Sequence, residues 1–380
     1  MIKTPKFFYE ISFTSKIFLY LLFFVLLPLL IIIEVFSMMQ QLYRYSNRVK
    51  KNDIDALIVC VGNLTCGGSG KTPAAIMIAK LVKEYIFFNN EENKYQIFGD
   101  ITDVNRDFLG KIIKKINNKS QSRNIKKREN KIKIAFLSKG YKSNNDVNYE
   151  LVNQNNYQFL KHGDEIGELV EYNDVIFVKK RSDIVKVNNN EYDIIIMDDG
   201  LFDSSLEHDL DVIIIDEKYR LGNELSLPFG PIRNLKVMIR LIFSKIFNIK
   251  YYDILFYIRS SKQLNCDNFK LKIANNSYII DIKYLPIQVD LNYVAFSGLG
   301  INQKFFSTLK ESGINLVEKI EFPDHYQYNQ NDINKLIAIK NKYQNCFLIT
   351  TKKDFNRIKN IALIDEVKIF LINFEISCKL

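Results

Sequence analysis

The longest feature in the hydrophobic pattern is an unbroken apolar stretch over residues 17–33, with no charge and a single proline, Pro28. Val35 and Phe36 carry it past Glu34. A helix crossing a bilayer needs about 20 apolar residues, with a lower limit near about 17. A secretory signal is shorter, with about 7–15 apolar residues and a small-residue cleavage site, and no such site is visible. The stretch predicts a membrane-anchor helix, either spanning or lying obliquely in one leaflet. A buried core helix is the alternative. Lys3, Lys6 and Lys16 precede it, and the larger basic cluster of Arg44, Arg48, Lys50 and Lys51 follows.

Beyond the anchor the pattern becomes α/β. Residues 56–61 read as a buried strand and 74–82 as a helix. Short Ile/Val-rich runs at 132–137, 175–178, 193–197 and 212–215 predict a parallel sheet with helices on both faces. Residues 89–131 interrupt this pattern with an Asn-, Lys- and Arg-rich insertion. It is expected to be helical in part, over 108–116, and otherwise a solvated or membrane-facing excursion. Residues 234–249 are apolar but interleaved with Lys236, Arg240 and Lys245. They read either as an amphipathic surface helix or as a core helix whose basic side chains reach water.

Runs at 251–258 and 271–282 read as extended links to a second α/β unit. Its strands are 293–296, 316–320, 347–350 and 367–372, with Asn302 placed to cap a helix and Gly313 to end it. The fold class expected is α/β. A P-loop NTPase-like (Rossmann-like) parallel-sheet domain is joined by a smaller α/β domain and preceded by the anchor helix. The divisions are 1–50 for anchor and basic flank, 51–250 for the P-loop domain with its insertion, and 251–380 for linker strands and the smaller domain.

Composition narrows this little. The 380 residues are 47% hydrophobic and 25% charged, enough for a sizeable core in about two domains. A net charge of +10 suits a nucleic acid or an anionic membrane surface, and the apolar stretch favours the membrane. Cys60, Cys66, Cys266, Cys346 and Cys378 form no CxxC pair, which excludes a disulfide framework or zinc site and suits a reducing compartment.

The strongest chemical signal is Thr65-Cys66-Gly67-Gly68-Ser69-Gly70-Lys71-Thr72 between the first strand and its helix. Glycines let the backbone approach a polyphosphate, and amides at a helix N-terminus form an anion nest. Lys71 is placed for β/γ-phosphates and the Thr72 hydroxyl for Mg²⁺, so ATP and Mg²⁺ are the expected ligands. Thr65 stands where the first glycine is usual. The strand at 193–197 ends in Asp198-Asp199-Gly200, the form of a Walker B strand. Ligands of open α/β sheets collect at such strand ends. Neighbouring strand residues point to opposite faces, so Asp198 and Asp199 should hold different jobs around the metal. His162, His208 and His325 are the only histidines.

Taken together, these segments resemble the tetraacyldisaccharide 4′-kinase family, over most of the chain after about residue 55 and in the N-terminal anchor. The P-loop through Pro73 matches that family's, including the missing glycine. Ser138-Lys139-Gly140-Tyr141 resembles its Ser-Arg-Gly-Tyr, Gly163-Asp164-Glu165 its Gly-Asp-Glu-Pro, and Asp198-Asp199-Gly200-Leu201 its Asp-Asp-Gly turn. Leu227-Pro228-Phe229-Gly230-Pro231-Ile232-Arg233 resembles Leu-Pro-Ala-Gly-Pro-Leu-Arg. Phe322-Pro323-Asp324-His325 matches Phe-Pro-Asp-His, and Thr351-Lys352-Lys353-Asp354 resembles Thr-Glu-Lys-Asp. The departures are Lys139 for Arg, Ile166 for Pro, Phe202-Asp203 for Gln-His and Asn234 for Glu.

The resemblance implies an ATP-dependent lipid kinase working in a cleft between two domains, at the cytoplasmic face of the bacterial inner membrane. Its acceptor would be the 4′-hydroxyl of an acylated glucosamine disaccharide 1-phosphate. Asp164 would activate that hydroxyl, paired with His325 from the other domain. The partners expected are this substrate and membrane lipids, with no nucleic acid and no obligate protein partner. The rival reading is a membrane-tethered P-loop switch or assembly factor, which needs neither the Asp164 nor the His325 segment.

Overall fold

A computed structural model describes the chain except residues 1–12, 47, 67–69, 93, 122–130, 141–146, 188–190, 218, 260–270, 272, 285–287, 289, 301, 325, 359–366 and 371. The long apolar helix α1 (Phe13–Ser46) comes first, with Pro28 inside it. Then follow β1 (Leu57–Asn63), α2 (Lys71–Tyr85), the hairpin β2 (Ile86–Asn89) and β3 (Lys94–Ile97), and α3 (Asp103–Gln121). Next are β4 (Ile134–Ser138), β5 (Tyr149–Val152), α4 (Phe159–His162), α5 (Asp164–Leu169), β6 (Asp174–Val178), β7 (Ile194–Asp198), β8 (Leu210–Asp216) and α6 (Leu235–Phe247). The strands β9 (Tyr252–Arg259) and β10 (Ala274–Tyr284) lead to β11 (Asn292–Ser297), α7 (Asn302–Glu311), β12 (Asn315–Glu321) and α8 (Gln330–Lys340). The chain closes with β13 (Cys346–Thr351), α9 (Lys352–Ile358), β14 (Val367–Phe370) and β15 (Ile372–Lys379).

The large sheet runs β15-β10-β9-β8-β1-β7-β4-β6-β5. It is parallel except where β15 pairs with β10 and β5 with β6. Burial on both faces explains why its strands read as continuous apolar runs. Alternation then sorts the side chains. Leu57, Val59 and Val61 of β1 enter the core under α2, while Ile58 and Cys60 enter the core of the opposite face. A smaller parallel sheet, β12-β11-β13-β14, is covered by α8 and α9 on one face and by α7 on the other.

The pairing places the strands read at 251–258 and 271–282: β9 pairs with β8 and β10 with β9, and the last strand, β15, returns to the same sheet, so these strands are part of the large sheet as well as the path to the small one. Strand patterns identify strands but not the sheet they join. Within the insertion, the helix expected over 108–116 is α3, and it is packed rather than solvated. Phe108, Leu109, Ile112 and Ile116 of α3 are buried in the main core. Lys119 of α3 is buried as well, donating to Ala56 O at 2.8 Å and to Asp209 at 2.6 Å.

Candidate active site

The site forms at the carboxyl ends of strands. Val61 of β1 is in register with Asp198 of β7, so the turn into α2 and the Asp-Asp turn leave the sheet side by side. Gly70 has φ +80°, and a Cβ there would meet the Ile258 side chain at 2.6 Å, so this position needs glycine. The next two residues start α2 and point back at β7. Thr72 Oγ1 donates to Asp198 Oδ2 at 2.8 Å, and Lys71 Nζ lies 3.6 Å from Asp199 Oδ2. Gly67, Gly68 and Ser69 lie outside the described residues.

The two aspartates are sorted into different environments. Asp198 is buried, and desolvation raises its pKa against the pull of Lys71. Asp199 leaves the strand with φ +53°. Burial acts to raise its pKa too, but Lys71 and Arg233 outweigh that and lower it. Arg233 Nη2 donates to Asp199 Oδ2 at 2.9 Å and to Asn63 Oδ1 at 2.7 Å. Each aspartate keeps a second buried oxygen, Oδ1, that accepts no hydrogen bond. Two orphaned carboxylate oxygens beside a Thr hydroxyl are a donor set that fits a hard divalent cation such as Mg²⁺.

A cavity of about 1000 Å³ gathers these groups with residues of the smaller sheet's layer. From the first layer Cys66, Gly70, Lys71, Thr72, Asp198 and Asp199 line it. From the second come Lys304, Asp324, Lys353 and Arg357. Thr65 lies behind it, bridging to Ile232, and its carbonyl accepts from Arg233 Nε at 3.4 Å. Asp164 is the first residue of α5 and is buried. Its Oδ2 accepts from Arg357 Nε at 3.0 Å and also from Nη2. His325 lies outside the described residues, although its neighbour Asp324 lines the cavity. His162 and His208 are not among the lining residues. His162 is buried, accepting from Gln158 N at 3.0 Å, with its other ring nitrogen 3.2 Å from Glu150.

Several residues here carried no usable signal in the sequence. Arg181 donates to the carbonyls of Asp198 and Asp199 at 3.2 and 2.9 Å, clamping the turn from behind. Arg357 is fixed by Asp354 at 2.8 Å, and Asp354 also accepts from Tyr328, Thr351 and Gly298 N. Lys353 is half-buried among acids at the cavity wall. Desolvation would lower its pKa, but Glu168, Glu165, Asp164 and Asp198 outweigh it and hold the ammonium charged. Arginines and lysines are common everywhere in this chain, so nothing local singled out Arg181 or Arg357, and the Thr351-Lys352-Lys353-Asp354 segment gave Lys353 no role.

The departures from the family pattern have partners of their own. Lys139 donates to Asp203 at 2.5 Å, so two of the changed positions make one ion pair, shared with Arg181 at 2.9 Å. Phe202 lies under the Arg233 guanidinium, 5.6 Å from ring centroid to Cζ. Ile166 is buried in the main core. Asn234 is the N-cap of α6, its side chain accepting from Val237 N at 2.9 Å. Asparagine is among the best N-caps, which glutamate is not.

A strand–turn–helix with Lys and Thr at the helix start, facing strand-end carboxylates in a mostly parallel sheet, defines a P-loop NTPase-like fold. Within that class the chain belongs to the tetraacyldisaccharide-1-P 4′-kinase family, whose model matches residues 22–86 and 125–380. The gap between the two matched stretches holds β3 and α3. The chain is 26% identical over 346 residues to the tetraacyldisaccharide 4′-kinase of Pelagibacter ubique (strain HTCC1062), covering 89% of this chain and 84% of that one. It is 29% identical over 311 residues to that of Rickettsia canadensis (strain McKiel), covering 81% and 78%. Among solved structures, LpxK from Aquifex aeolicus in complex with ATP superposes with a TM-score of 0.60 at 20% identity, covering 94% of this chain and 95% of that one. This last likeness supports the fold.

Proposed function

We propose that this chain is a lipid kinase that moves the γ-phosphoryl group of ATP to the 4′-hydroxyl of an acylated glucosamine disaccharide 1-phosphate, at the cytoplasmic face of the inner membrane. The observation that carries the reading is the convergence in one cavity of the Thr72–Asp198 and Lys71–Asp199 pairs with cationic groups of the second layer. Family membership supports it. Phosphoryl transfer needs positioning and charge neutralisation more than covalent chemistry. Lys71 and the amides of residues 65–70 would hold the nucleotide phosphates. Thr72, Asp198 and Asp199 would hold Mg²⁺, which when bound neutralises phosphate charge. Asp164 would accept the proton of the sugar hydroxyl, with His325 as its partner, and Arg357 would fix the Asp164 carboxylate. Arg233 keeps Asp199 ionised. Basic residues of the second layer, Lys304 and Lys353, would offset charge on the phosphates.

The test is direct. Membranes carrying the protein are given ATP and acylated disaccharide 1-phosphate, and the lipids are examined for a new phosphomonoester. Its formation supports the kinase. ATP turnover with no phosphorylated lipid would point instead to a nucleotide-dependent switch.

A further inference from the structure

The spacing of the five cysteines gives no metal motif, yet the fold brings metal-ligating groups together away from the nucleotide cavity. Cys60 on β1 and Asp211 on β8 are directly in register across the parallel pair. His208 stands three residues before Asp211, in the connection that enters β8. Cys60 is fully buried, on the face of the sheet opposite α2. Its Sγ, one imidazole nitrogen of His208 and one carboxylate oxygen of Asp211 all lie within 4.8 Å of one another. None of the three residues lines the nucleotide cavity.

The imidazole is held as a ligand would be. His208 Nδ1 lies 2.6 Å from Asp211 Oδ1, which fixes the ring. With the Nδ1 hydrogen given to the carboxylate, Nε2 carries a bare lone pair. That Nε2 is buried and has no hydrogen-bond partner. A buried acceptor left unpaired is costly, and metal-bound histidines are typically oriented by a carboxylate on their other nitrogen. The His208 side chain is 12% exposed and that of Asp211 27%, which leaves a way in from solvent. Burial, and then the Asp211 charge, push the Cys60 thiol well up, while Arg181 and the Gly200 amide act the other way. A cation beside the sulfur changes that balance, because a coordinating thiol is deprotonated outright. Thiolate and carboxylate then cancel the charge of a divalent ion, and a neutral complex can stay buried.

The ligand set also selects the ion. Thiolate with imidazole and carboxylate suits Zn²⁺, whereas Mg²⁺ takes oxygen ligands. Tetrahedral zinc, with bonds of about 2.3 Å to sulfur and about 2.0–2.2 Å to nitrogen and oxygen, sets its ligand atoms about 3.3–3.6 Å apart. Atoms already within 4.8 Å of one another reach those separations by small side-chain rotations.

We infer that Cys60, His208 and Asp211 form a second metal site, for Zn²⁺ or a divalent ion of like softness, with water as the fourth ligand. On binding, Cys60 releases its proton to water and a sulfur–metal bond forms. The site shares no ligand with Thr72, Asp198 and Asp199. It joins β1, which runs into the P-loop, to the start of β8. At its Cys60 end it meets Gly200, the residue after the aspartate pair.

Co²⁺ reports such ligands directly. A thiolate on tetrahedral Co²⁺ gives a near-ultraviolet charge-transfer band and strong visible bands, which an all-oxygen site lacks. The full chain, in detergent, stripped of metal and kept reduced, is titrated with Co²⁺ in excess Mg²⁺. One equivalent is expected to produce both sets of bands, and Zn²⁺ to bleach them. Cys60→Ser should abolish the charge-transfer band. His208→Ala and Asp211→Asn, at less buried positions, should each weaken Co²⁺ binding by at least about tenfold, and they decide the matter if Cys60→Ser does not fold. Cys66→Ser, at the wall of the nucleotide cavity, should leave the band intact. No charge-transfer band in the wild type would overturn the inference. So would wild-type affinity in His208→Ala or Asp211→Asn, a band that survives in folded Cys60→Ser, or its loss in Cys66→Ser.

Discussion

Asp164 at the start of α5 and Arg357 in α9 are joined by a buried ion pair, with Nε to Oδ2 at 3.0 Å, although they lie 193 residues apart in the chain. It ties the layer of the large sheet to that of the small one, and on the Arg357 side it is continued by Asp354. Removing one partner of such a pair strands a charge in the interior. Arg357→Ala should therefore cost about 3–5 kcal/mol of stability, read from denaturant midpoints. Arg357→Lys keeps the charge but loses the fork, and should lower kcat with little change in ATP KM. An Arg357→Lys enzyme with wild-type kcat would remove Arg357 from the positioning of Asp164.

Asp164 and His325 are proposed to act as one unit. Asp164→Asn or His325→Ala should each lower kcat by roughly 10²–10⁴ while leaving ATP affinity close to wild type. The double variant should be scarcely slower than the worse single one. Thermal melts on the same preparations make the comparison decisive. Full kcat in the folded fraction, with only a lower melting temperature, would reduce both residues to structural parts.

Lys71 is held only at 3.6 Å from Asp199, at the cavity wall. Lys71→Ala should abolish phosphoryl transfer and change stability by less than about 1 kcal/mol. Normal turnover in this variant would take the P-loop out of the reaction.

The different settings of Asp198 and Asp199 predict different defects. Asp198→Asn should shift the Mg²⁺ dependence of activity upward by about 10–100-fold. Asp199→Asn removes the counter-charge shared by Lys71 and Arg233, and should chiefly raise the KM for ATP. Indistinguishable Mg²⁺ and ATP titrations for the two variants would show that the carboxylates are interchangeable.

Asp107 of α3 gives a pH prediction for the insertion. Burial acts to raise its pKa, but hydrogen bonds from Lys111, Tyr278 and Lys379 outweigh that and lower it to about 2. An unfolded aspartate titrates near about 3.9. The folded form is thus favoured by an ionised Asp107 above that pH, and the benefit fades as pH falls through about 2. Asp107→Asn should melt below wild type at neutral pH, with the two curves converging between about pH 4 and pH 2. A constant gap down to pH 2 would show that the carboxylate's charge is not what matters.

Much of the architecture is local and could be read directly. The glycine-rich turn, the strands on either side of the central sheet and the Asp-Asp turn all announce themselves within a dozen residues. Backbone preference and side-chain period act at that range. The apolar stretch of α1 is equally plain, but what it packs against is not. Phe23 packs against Phe229, and no window around Phe23 contains Phe229.

The same division runs through the site. Residue types placed Thr72 and Asp198 in one active centre, because a strand-end acid and a P-loop hydroxyl have few other uses together. Arg181 and Arg357 were indistinguishable from most of the chain's 53 basic residues until the chain closed. Likewise β9 and β10 read as strands but were assigned to the large sheet only by pairing, and β15, beyond the last strand read in the sequence, appears only in the fold. Sequence pattern determines which face of an element is apolar. Which other element covers that face, and which charge meets which carboxylate across it, depends on contacts between residues far apart in the chain. Those contacts exist only once desolvation in the folded core makes an unpaired charge too costly to leave.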